Sequence, residues 1–74
     1  MPDSAIEREH LSRAERDITE GETRITRQML LIERMRLDGH DVSEAERLLL
    51  TLQETLAAWQ AHREQILLEL ARDG

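Results

Sequence analysis

Glu7 and His10 form a Glu-x-x-His pair, the spacing with which carboxylate-bridged di-metal bundles hold ions from one helix face. A complete site of that kind needs two such pairs and two further glutamates. A two-fold dimer would duplicate the pair, and Glu64 or Glu69 could join it. Both lie near a fraying helix end, so the pair is read as solvated charge with no metal bound. His62 has Trp59 one turn before it and Arg63 and Glu64 beside it, while His40 lies in a turn. Nucleophilic catalysis needs a serine or cysteine arranged with its base. No such arrangement is visible, cysteine is absent, and neither a glycine-rich phosphate loop nor an HExxH sequence occurs. The expectation is a non-enzymatic chain with no catalytic, cofactor-binding or metal-ligating residue.

Arg13, Arg16, Arg24, Arg27 and Arg34 make a basic face that could lie along RNA or DNA. Glu9, Asp17 and Glu20 interleave with them at steps of three and four, a spacing that favours ion pairs within the helix. Net charge is −6, and residues 38–74 carry three arginines against eight acids, so the second half repels phosphate backbones and anionic membranes. Trp59 is the sole aromatic residue, which leaves no platform for base stacking. A small dimeric nucleic-acid-binding regulator is therefore the alternative reading and not the first one.

The elements that carry these residues are two helices. Seventy-four residues with 35% charged side chains, almost no aromatic content and little β-branched alternation describe long helices or coiled coils. The apolar spacing breaks once, between Leu37 and Ser43. Gly39 there suits the left-handed residue that ends a helix, and Ser43 followed by Glu46 has the capping-box spacing that starts one. The predicted domain is a single antiparallel hairpin: helix 1 about 4–37, loop about 38–42, helix 2 about 43–72. Ser4 and Glu7 repeat the box, so helix 1 is expected to begin at Asp3 or Ser4 with Pro2 outside it.

Leu11, Ala14, Ile18, Gly21, Ile25, Gln28, Ile32 and Met35 alternate steps of three and four, as do Ala45, Leu49, Leu52, Leu56, Trp59, Arg63, Ile66 and Leu70. Folding about the middle of the loop pairs residues whose numbers sum to about 81. That register sets Ile32 against Leu49, Ile25 against Leu56, Leu11 against Leu70 and Gly21 level with Trp59. The glycine would then make room for the indole. Arg63 falls near Ile18 and Asp17, where it either lays its stem on apolar neighbours or pairs with the acid.

Leu30, Leu31, Leu37, Leu48, Leu50, Leu67 and Leu68 fall outside these rows, and one seam does not cover them. No cysteine is present to staple so small a fold. The all-α hairpin is thus expected to form a homodimer, a four-helix bundle, through Leu30, Leu31, Leu48, Leu49, Leu52, Leu56, Trp59, Ile66 and Leu67. A helix of another protein is a second possible partner for surplus leucines such as Leu48, Leu50 and Leu68. The longest apolar run is Met29 to Ile32, far short of a membrane span, and Met1 to Asp17 lacks the apolar stretch of a signal peptide. A soluble, cytoplasmic protein is expected.

Ala14-Glu15-Arg16, Gly21-Glu22, Ile25, Gln28, Gly39-His40-Asp41, Ala45-Glu46, and His62-Arg63 before Leu67 to Leu70 form a pattern over nearly the whole chain. In it the chain resembles a group of short uncharacterised helical-hairpin proteins of alphaproteobacteria, rhizobia and their relatives. The resemblance implies a bacterial cytoplasmic protein and carries over no active site.

Overall fold

The computed structural model describes residues 4–73. Two helices, α1 (Ser4–Leu37) and α2 (Ser43–Asp73), pack antiparallel along one seam. Helix 1 is described from Ser4 onward, and the expected alternatives of a start at Asp3 and of Pro2 outside the helix lie outside the described residues. The hairpin measures 58 × 14 × 13 Å, with a radius of gyration of 16.9 Å. A compact chain of this length would have a radius near 11 Å. The described residues therefore form a rod whose interior is the line between its helices.

Gly39 ends α1 as its lack of a Cβ allows. Its φ is 76°, the left-handed region, and His40 N–H donates to the Met35 carbonyl (2.8 Å) while Gly39 N–H donates to that of Arg36 (3.1 Å). These are the paired bonds of a Schellman closure. The start of α2 differs from the expectation. Asp41 is the capping residue: its Oδ1 accepts from the Ser43 N–H (2.9 Å) and the Ser43 hydroxyl (2.7 Å). The carboxylate is the stronger acceptor, and its charge faces the positive end of α2. Glu46 does not close a box onto Ser43; its carboxylate meets Arg36 across the hairpin at 3.2 Å. The two bonds from Ser43, the hydroxyl first and the N–H second, hold the Asp41 carboxyl below its ordinary pKa of 3.8.

Every position of both apolar rows is buried or half-buried, with Ala14, Ile18, Gln28, Ile32 and Ile66 the most enclosed. The register, however, is not centred on the loop. A Cβ built on Gly21 lies 3.4 Å from Leu56 Cδ1 and meets no atom of Trp59 within 4 Å. Trp59 instead shares a cleft with Ala14 and Asp17. Facing residues thus sum to about 77, and α2 is slid along α1 by about one turn, roughly 6 Å, from the expected position. Val42 explains the slide. It is half-buried and continues the α2 row one step before Ala45, so the seam begins inside the loop. At the other end Ser4 and Glu7, which a register of 81 would leave beyond α2, are also half-buried.

Two polar residues sit in the seam. Gln28 is 9% exposed, and its Nε2 donates to the Ala45 carbonyl at 2.9 Å, a bond that ties the last third of α1 to the first turn of α2. Arg63 is half-buried, and its Nε has no hydrogen-bond partner. No carboxylate lies within ion-pair distance of it among the described residues, so the expected pairing with Asp17 does not form, and the Nε is buried where an outward-carried head was the other expectation.

Candidate interaction surface

The helical period decides which side chains flank the seam and which cannot reach it. Met29, Leu30 and Leu31 follow the seam residue Gln28 and fan out around α1, while Leu48 and Leu50 bracket Leu49 on α2. All five, with Leu37, are 49–80% exposed, and all six lie in the half of the rod next to the loop. Ile6, Leu67 and Leu68 make a smaller exposed group at the far end.

The nine residues expected at the dimer interface therefore divide. Leu49, Leu52, Leu56, Trp59 and Ile66 belong to the seam inside the hairpin, where they are buried or half-buried. Leu30, Leu31, Leu48 and Leu67 face outward. Met29 belongs with the second group, 54% exposed, and was not among the nine expected residues.

One flank of the hairpin is the more apolar. Met29, Leu30 and Leu37, with Thr26 and Glu33 between them, wall an open groove whose floor is Ile32 and Leu49, and the Arg36–Glu46 ion pair crosses it near the loop. Leu50, one turn after Glu46, extends this flank on α2. Thr19 lies on the same side, and its hydroxyl donates to the Glu15 carbonyl at 3.0 Å within its own helix, so a neighbour could cover it without leaving the hydroxyl unpaired.

The opposite flank holds most of the groups that could do chemistry. His10, Arg13, Asp17, Trp59 and His62 border a shallow cleft over Ala14, which is 1% exposed. His10 Nδ1 lies 3.9 Å from a Glu7 oxygen, and the His62 ring stands edge-on to Trp59 with centroids 5.9 Å apart. Among the described residues no three histidine, aspartate or glutamate side chains converge as a metal site would require. Along the arginine face, Arg13 meets Glu9 at 3.4 Å and Arg34 meets Asp38 at 3.6 Å, whereas Arg16, Arg24 and Arg27 have no carboxylate within 4 Å among the described residues. Among the described residues no helix is long and apolar enough to cross a membrane. No family model, curated protein or solved structure matches the chain.

Proposed function

We propose that this chain is a non-enzymatic, self-associating helical hairpin, a structural or protein-interaction module whose homodimer is a four-helix bundle. The observation that supports the reading best is the exposed apolar group Met29, Leu30 and Leu37 along one groove at the loop end, on a rod whose own seam is already filled. A patch of that kind marks an association site in a small water-facing protein. On this reading the histidines, Glu7 and Trp59 contribute surface charge and packing, and the protein acts in the bacterial cytoplasm, as the resemblance implies. Sedimentation equilibrium tests it. The expected result is a dimer at micromolar concentration, and a helical monomer overturns the reading.

A second reading draws on Arg16, Arg24 and Arg27, whose guanidinium groups are free of nearby carboxylates among the described residues. A dimer would present two such faces to RNA or DNA. The total charge of −6 and the acidic α2 oppose it. Steeply salt-dependent binding to a labelled RNA or DNA duplex would favour this second reading, and its absence at low salt would remove it.

A further inference from the structure

Resting on the self-association proposed above, we infer that the occupant of the apolar groove is a second copy of this chain, docked antiparallel by its loop-proximal half. The surface area sets the scale. The hairpin exposes 5851 Å², whereas a compact monomer of 8.6 kDa exposes about 4,700 Å². The excess, about 1,150 Å², exceeds the roughly 800 Å² that each partner contributes to a standard stable interface. That excess follows from the rod shape and runs along its whole length, and a second copy laid along the loop-proximal half covers part of it.

Charge sets the direction. Glu22, Met29 and Arg36 are spaced by seven, so they lie on one stripe along the groove side of α1. The stripe reads acid, apolar, base. A two-fold axis crossing it at Met29 lays it antiparallel on its own copy, with Met29 on its equivalent and Arg36 beside the partner's Glu22, twice. A parallel pairing would put acid on acid and base on base at every level. Arg36 already holds Glu46 through one Nη, and the remaining donors of its guanidinium are free to reach a second carboxylate. In this arrangement the two Met29 side chains meet at the centre of the contact with Leu30 beside them, Leu37 lies level with the partner's Gly21, and the charged far ends of the two rods point away from each other.

The absence of cysteine makes the test clean. A spin label on Glu15→Cys, on the same stripe and fourteen residues from the axis, gives an expected separation between copies of about 42 Å at 1.5 Å per residue. A dimer with labels closer than about 25 Å overturns the antiparallel docking and leaves self-association standing; a helical monomer with no dipolar signal overturns both. Glu22→Arg is expected to weaken the dimer about tenfold, and Glu22→Arg with Arg36→Glu to restore it. Weakening without restoration contradicts the assigned pairing.

Discussion

Replacing Gly21 with alanine is expected to stabilise the protein. Gly21 sits in the middle of a 34-residue helix, where glycine costs about 0.8–1.0 kcal/mol relative to alanine. The added methyl would lie 3.4 Å from Leu56 Cδ1 and 3.9 Å from Leu56 Cβ, ordinary contact distances, and both neighbours belong to one adjustable side chain. Because the position is half-buried, the methyl adds a few tenths of a kcal/mol of apolar burial, for a total of about 1–1.4 kcal/mol. In a chain of this size that raises the melting temperature by about 4–8 °C per kcal/mol. The assay is urea and thermal unfolding followed by circular dichroism at several protein concentrations, since association adds its own concentration dependence. Gly21→Leu serves as the opposite control: extra methylenes driven into Leu56 cost about 1–3 kcal/mol. The reasoning is refuted if Gly21→Ala loses stability. A bulkier group than Leu56 would then fill the space, as the register that faces Gly21 with Trp59 requires.

Arg63→Met is expected to stabilise by about 1 kcal/mol in the same unfolding assay, because it removes a buried Nε that has no partner and keeps the packed stem; a loss of stability would reveal a partner for Arg63. Gln28→Ala removes the bond to the Ala45 carbonyl and is expected to cost about 1–2 kcal/mol, whereas Gln28→Leu is expected to be neutral or stabilising, since Ala45 keeps its helical partner. Equal losses from both would contradict that account. Asp41 has a folded pKa below 3.8, so its contribution is present above that value and fades as pH falls through the folded pKa. Asp41→Asn is expected to remove the part of the acid destabilisation, measured below about pH 4, that comes from this cap; an unchanged acid limb would show that Asp41 does not cap α2.

The two rows that face each other could be read from spacing alone, because alternation of three and four leaves a helix one apolar side. Register could not. Sliding one row by half a heptad returns apolar residues to apolar residues, so only Gly21, Gln28, Trp59 and Arg63 distinguish the alternatives. The size match between Gly21 and Trp59 was consistent with a turn centred on the loop, and Val42, three residues before Ala45, extends the α2 row only when the loop itself packs on α1. The cap of α2 shows a similar limit. Ser43 and Glu46 have the right spacing for a box, but Asp41 competes for the Ser43 N–H with a full charge, and Arg36, distant in sequence, captures Glu46. The surplus of leucine is legible in the sequence, and the exposed side chains that share one groove, Met29, Leu30 and Leu37, are seen in the structure.

Light scattering on the wild type and on Met29→Glu tests the central claim most directly, because Met29 lies at the centre of the proposed contact and outside the hairpin's own seam. The account predicts a dimer of twice the 8.6 kDa chain mass for the wild type and a helical species of single mass for the variant. A wild type that stays at single mass, or a variant that remains fully dimeric, contradicts it.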